Sequence, residues 1–182
     1  MAPIPLSCTT CCLRGRGRDE IEETFIHAPQ AGFTAWGLAG PLTWTPGLIQ
    51  WLDCEMILSR ARAVGLKELT EVYGPAMPNT SPEAADLGAY HLGLTAEVCR
   101  RLGSDRLVFS GAPRQDGGLT NAIHGLRRLA RSVLDISICV EPHFGSQFQT
   151  WEDYETIFSD IQAPNDGITV DTGHFHTAGV DT

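Results

Sequence analysis

The sequence predicts a parallel α/β protein, and three observations predict it. Apolar, strand-like runs begin near residues 4, 33, 69, 106, 136 and 168, a spacing of about thirty residues that matches one βα unit. Amphipathic helical patterns fall between them. The strand-like runs are nearly all apolar, as a sheet covered by helices on both faces requires.

Each element has its own local signal. Ile4 to Leu13 is a β-type run interrupted by Pro5, and Arg14-Gly15-Arg16-Gly17-Arg18 is a loop. Asp19 opens a helix with Glu22 as its capping-box partner, carried by Ile21, Phe25 and Ile26 and stopped by Gly32. Phe33 to Leu38 is the second strand. Pro41 to Pro46 is a loop, and Leu48, Leu52, Met56 and Ile57 recur at helical spacing up to Gly65. Leu69 to Tyr73 is the third strand, followed by a loop through Pro78, Asn79 and Pro82. Leu87, Tyr90, Leu94, Val98 and Leu102 form the clearest apolar stripe, capped by Gly103. Arg106 to Ser110 is the fourth strand, and Leu119, Ile123, Leu126, Ala130 and Val133 carry the next helix. Ile136 to Val140 is the fifth strand. Thr150 caps a helix with Trp151, Tyr154, Ile157 and Ile161. Ile168 to Val170 is the sixth strand, and a loop runs on to Thr182. No composition shift marks a linker, so residues 1–182 read as a single domain. Two topologies fit the rhythm: a doubly wound open sheet, or a barrel with strands still to come.

Composition narrows the function. The chain has 182 residues, short of the ~250 typical of a (β/α)8 barrel. Hydrophobic residues make up 42% and charged residues 19%, which excludes a largely disordered chain. A net charge of −9 argues against nucleic acid as a partner, since binders of it carry a basic face. No apolar run reaches the ~18 residues of a spanning helix, so no membrane role is expected. The N-terminus lacks a cationic signal-peptide region, and a cytoplasmic location is expected. Cys8 and Cys11 have C-x-x-C spacing but no second pair to complete a structural zinc site. The six cysteines read as cytosolic thiols, those in apolar segments acting as small hydrophobes. Gly15-x-Gly17 lacks the third glycine of the dinucleotide fingerprint.

Polar residues that packing does not explain gather at two strand ends. The fifth ends Val140-Glu141-Pro142-His143 and the sixth ends Val170-Asp171-Thr172-Gly173-His174-Phe175-His176. Ligands of parallel α/β proteins bind at the C-terminal strand edge. Carboxylate and imidazole from adjacent strands suit a divalent ion such as Mn²⁺, Mg²⁺, Co²⁺ or Zn²⁺. The competing structural roles are a capping or loop charge for Glu141 and a turn-holding side chain for Asp171. His27, His91 and His124 fall in helices and read as structural or surface residues.

These two strand ends, with Val72-Tyr73-Gly74-Pro75 and the six-unit rhythm, resemble the xylose-isomerase-like TIM-barrel superfamily. The resemblance implies a parallel (β/α) barrel of the TIM type, incomplete, with about six of eight βα units. It implies a sugar or sugar-phosphate isomerase or epimerase that moves a proton next to a carbonyl with the help of a divalent metal ion. On that resemblance Glu141 is the metal-binding acid/base, Asp171 a metal ligand, and His174 matches a residue that binds substrate in the epimerases and metal in the endonucleases; His143 and His176 at the same strand ends are further substrate-binding candidates. A later His and a final Glu would come from strands seven and eight, beyond Thr182. Activity is therefore expected to be impaired and the metal weakly held, unless a partner copy in a homo-oligomer or a further C-terminal part completes the site. Two alternatives stand beside this reading. One is an apurinic-endonuclease-like phosphodiesterase, opposed by Trp36-Gly37-Leu38 and Tyr73-Gly74-Pro75, which place no histidine at the ends of strands two and three. The other is a non-catalytic fragment or pseudo-enzyme.

Overall fold

The computed structural model describes residues 6–39 and 51–180. Among these, six strands form one parallel sheet in sequence order: β1 (Ser7–Thr9), β2 (Ala35–Leu38), β3 (Glu68–Tyr73), β4 (Arg106–Ser110), β5 (Ser137–Glu141) and β6 (Asp166–Ile168). The helices are α1 (Glu20–Gln30), α2 (Cys54–Ala63), α3 (Pro82–Leu102), α4 (Gly118–Ser132), α5 (Trp151–Ile161) and α6 (Thr172–Thr177), with a 3₁₀ turn at Thr10–Leu13. Strict sequential order with no reversal excludes the doubly wound alternative, in which the strand order switches direction. An open sheet of this order is consistent with an incomplete barrel.

Alternation along the strands sorts their side chains. Leu107, Phe109, Ile138 and Val140 are fully buried in the main core, with Cys8, Trp36 and Leu38. Thr9, Glu71, Tyr73, Ser110, Cys139 and Glu141 are only partly covered. Pairing of Ser110 with Glu141 sets the C-terminal rows of β4 and β5 level.

Caps follow the expected chemistry. The Asp19 carboxylate accepts from the backbone N–H of Ile21 and Glu22, but the Glu22 side chain turns to Arg60 rather than completing a capping box. Thr150 caps α5 in a full capping box whose return partner is Asp153. Gly103 ends α3 at φ 77°, a left-handed conformation that favours glycine.

Several sequence expectations are corrected. The first strand is three residues, not ten, because the chain turns into a 3₁₀ segment at Thr10; Ile4 and Pro5 lie outside the described residues. So do the Pro41–Pro46 loop and Leu48. The stripe Leu87–Tyr90–Leu94 is out of phase: Leu87 and Tyr90 are 55% and 59% exposed, while Ala85, Ala89, Leu92, Ala96 and Cys99 face inward. Small residues win here because α3 packs tightly on α4; a Cβ on Gly125 would sit 2.7 Å from the Ala85 carbonyl oxygen. Ile26 and Met56, both 50% exposed, likewise leave their stripes. The sixth strand ends at Ile168 instead of Val170, and the last loop contains α6. No helix among the described residues is long and apolar enough to cross a membrane.

Loops at the C-terminal strand edge are tied by a buried amide network. The Asn79 side chain donates to the Pro113 carbonyl (2.9 Å) and to Gln147 Oε1 (3.1 Å), and the Asn79 backbone carbonyl accepts from the Gln115 and Asn121 side-chain amides. Asn79 is 1% exposed, so the Asn79-Thr80-Ser81 sequon is spent on structure. The network joins the segments after β3, β4 and β5 and so holds the rim on which the candidate site sits.

Candidate active site

A cleft of about 380 Å³ opens at the C-terminal edge of the sheet, walled by Glu141, His143, Asp171 and His174 together with Tyr73 and Ser110, and by Cys11 and Arg14 of the first turn. Four of the five sequence-predicted site residues thus meet in one cavity. His176 does not line it; it is exposed on α6.

Glu141 is the last residue of β5 and half-buried. The Tyr73 hydroxyl donates to its Oε2. Burial raises the Glu141 carboxyl above the usual range; the Tyr73 hydrogen bond opposes this, and the nearby Asp171 charge adds to it. The Tyr73 phenol is itself raised, first by burial and then by Glu141. Tyr73 is the residue that strand-by-strand reading left without a role. Its signal was a polar-tipped aromatic at the end of β3, facing the same edge as Glu141.

Asp171 serves two ends. Its Oδ1 accepts from the backbone N–H of His174 at 2.8 Å, which caps α6. It also lines the cleft beside Glu141. Aspartate three residues before a bonded N–H is ordinary N-cap geometry, so the D-x-x-H spacing has a structural use as well as the chemical one. His143 and His174 stack with ring centroids 3.8 Å apart. His174 Nδ1 accepts from the Phe144 backbone N–H at 3.3 Å. Burial, then the neighbouring His143, lowers the His174 pKa against the pull of Asp171. With Nδ1 accepting from Phe144, the neutral form of the ring carries its proton on Nε2.

Glu141 and Asp171 bring two carboxylates into one cavity, which Arg14 also lines. Two carboxylates with imidazole neighbours fit a divalent cation in donor chemistry. They fall short in number: among the described residues no group of three or more His, Cys, Asp or Glu side chains is assembled to hold an ion.

Behind Glu141, Tyr154 packs against Phe175, Phe158 and Trp151. Its hydroxyl is buried without a hydrogen-bond partner. Removing a buried unsatisfied hydroxyl removes its desolvation cost. Tyr154→Phe is therefore expected to leave stability unchanged or raise it by about 1 kcal/mol, read as an upward shift of the urea midpoint. A loss of more than about 1 kcal/mol would mean that the hydroxyl has a hidden partner.

A sequential parallel sheet with acidic and histidine side chains converging at its C-terminal edge defines a TIM-barrel type of protein. The chain belongs to the xylose isomerase-like TIM barrel family, whose model matches residues 27–182. No curated protein sequence matches it. Among solved structures it is similar to the probable 3-DHS dehydratase AsbF of Bacillus anthracis, with TM-score 0.77 and 12% identity over 98% of this chain and 66% of that one. It is similar to the 3-keto-D-glucoside 4-epimerase YcjR of E. coli, with TM-score 0.74 and 16% identity over 96% of this chain and 70% of that one. It is also similar to the IOLI protein with a bound zinc atom, with TM-score 0.74 and 14% identity, covering 98% and 66%. At these identities the likeness is one of fold. The chain spans about two thirds of the length of these structures.

Proposed function

We infer that this chain, read as one domain, carries the site of a metal-dependent sugar or sugar-phosphate isomerase or epimerase. The single observation that supports this most is the meeting of Glu141, Asp171 and His174 in one cleft at the C-terminal strand edge. Moving a proton between carbons next to a carbonyl needs a base over the substrate and stabilisation of the charge that develops on oxygen. Glu141 is the base in this reading. Burial makes its carboxylate more basic, and the Tyr73 hydroxyl fixes which oxygen faces the substrate. Glu141 and Asp171 would hold a divalent ion, Mn²⁺, Mg²⁺, Co²⁺ or Zn²⁺. When bound, such an ion acts as a Lewis acid toward the substrate oxygens. His174 has its Nδ1 engaged by the Phe144 N–H, which suits Nε2–H donation to a substrate hydroxyl better than metal ligation. His143 stacks on His174 and holds its plane. His176 has no part in this arrangement.

The strand ends weigh against the phosphodiesterase alternative, since β2 and β3 end in Leu38 and Tyr73 with no histidine at the cleft from either strand.

The test is hydrogen exchange in D₂O. Ketoses and ketose phosphates are incubated with the protein and Mn²⁺ and followed by NMR. The expected result is deuterium at the carbon next to the carbonyl and the appearance of an epimer or aldose. No exchange in any of these sugars with metal present would overturn the reading.

A further inference from the structure

The proposed function leaves one charged residue of the cleft without a role. Arg14 lines the same cavity as Glu141, Asp171 and His174, and among the described residues of that lining it is the single Lys or Arg. It arrives from the far side of the sheet. Glu141 closes β5 and Asp171 follows β6, whereas Arg14 follows β1, at the other end of a strand order that runs from β1 to β6. One edge of the sheet thus brings a cation to the cleft and the other edge brings two carboxylates.

Arg14 is held by backbone and side chain alike. Its backbone N–H bonds the Cys11 carbonyl at 3.2 Å and closes the 3₁₀ turn. Its Nε donates at 3.1 Å to Glu20, which opens α1 and whose side chain is only 13% exposed. A guanidinium carries five N–H donors in a rigid fork, so Glu20 steers the group without exhausting it. Holding a long side chain in place lowers the entropy cost that a ligand would otherwise meet. An ion pair to a half-exposed arginine contributes little to stability, and pairing with Glu20 does not by itself call for a place in the wall of a ligand-sized cavity. Arg16 and Arg18 of the same loop are exposed and do not line it.

We propose that Arg14 is a specificity-determining residue of this cleft, which recognises an anionic group, phosphate monoester or carboxylate, at the end of the sugar remote from the carbon that Glu141 works on. The proposal rests on the reading of Glu141 as the base that acts on a sugar. A guanidinium pairs with either anion through parallel N–H bonds. In a chain of net charge −9, with two carboxylates in the cleft, an anionic sugar is repelled unless a cation meets it, and a neutral sugar has no use for that cation. Charge also sets direction. The anion goes to the β1 side and the carbonyl end to the side of β5 and β6, which decides which carbon faces Glu141.

The experiment is a calorimetric titration of the full chain with two pairs of ligands: D-ribulose 5-phosphate against D-ribulose, and D-fructuronate against D-fructose. The expected result is that at least one anionic sugar binds about tenfold more tightly than its neutral counterpart. That is the lower end of what a hydrogen bond to a charged group supplies, because about half of the Arg14 side chain faces water. The first pair reads phosphate recognition and the second reads carboxylate recognition. Arg14→Gln should bring the ratio within twofold of one, Arg14→Lys should keep part of it, and the double change Arg16→Gln with Arg18→Gln should leave it intact. The ratio in the unaltered chain needs no variant to fold. No binding of either anionic sugar, equal affinity within both pairs, or a preference that survives Arg14→Gln would overturn the proposal. Calorimetry needs no turnover, so failure here leaves hydrogen exchange at Glu141 standing, and failure of exchange leaves the anion preference readable.

Discussion

Glu141→Gln is expected to lower Mn²⁺-supported hydrogen exchange by about 10²–10⁴-fold, the range that a positioned general base contributes. The substitution is close to isosteric, and the amide oxygen still accepts from Tyr73, whose hydroxyl bonds Oε2 in the native chain. Only the charge and the basicity are lost. The fold should therefore be spared, and stability should stay level or rise, because a desolvated carboxylate beside Asp171 has been neutralised. The two readouts together are decisive: exchange falls while the urea midpoint holds. Exchange within tenfold of the wild type would remove Glu141 from the base role.

The second large effect is on stability. Asp153→Ala is expected to cost about 1.5–3 kcal/mol, the range for hydrogen bonds to a charged group, because the Arg114 left behind is 45% exposed and water takes it up. The Asp153 side chain is 5% exposed and accepts both Arg114 guanidinium nitrogens, at 2.8 and 2.9 Å. It also accepts the backbone N–H of Gln149 (3.0 Å) and Thr150 (2.9 Å). One carboxylate thus joins the loop after β4 to the entry of α5, and its removal orphans the Gln149 and Thr150 N–H groups, the second being the return half of the capping box. Burial alone would raise this carboxyl; the Arg114 bonds, then the Thr150 and Gln149 N–H groups, hold it below the usual range. A depressed folded pKa means that the stabilisation is complete above the unfolded carboxyl value near ~3.9. It is lost as pH falls through the lower, folded value. Urea midpoints measured from neutral pH downward should converge for wild type and variant only at the acid end of that window. A constant gap throughout would mean that the pair acts by packing rather than by charge.

Much of this was legible from residues alone because it rests on local rules. Asp19, Thr150 and Gly103 announce helix ends by capping chemistry that needs no tertiary context. Glu141 stood out as a carboxylate closing an apolar run, and the sheet brings it to the edge where His174 and Asp171 arrive from the next unit. The phase of α3 was not legible. Its sequence carries two apolar faces, and hydropathy ranks Leu87 and Tyr90 above Ala85, Gly88 and Ala89, whereas close approach to α4 and to Pro78 selects the small residues. Helix α6 escaped for a related reason: Asp171-x-x-His174 reads equally as a ligand pair and as a cap, and local spacing cannot separate the two uses. Tyr73 gained its place only through the cleft, since its partner Glu141 lies on another strand.

The account stands on Asp171 and Glu141 sharing a cation, and that is measured most directly by calorimetric titration with Mn²⁺ at neutral pH. Asp171→Asn is the informative partner, because an asparagine side chain still caps α6 and only the ligand charge is removed. The account predicts weak, single-site binding in the native chain and none in Asp171→Asn or Glu141→Gln, with unchanged urea midpoints. Binding that survives both substitutions would place the metal elsewhere and contradict it.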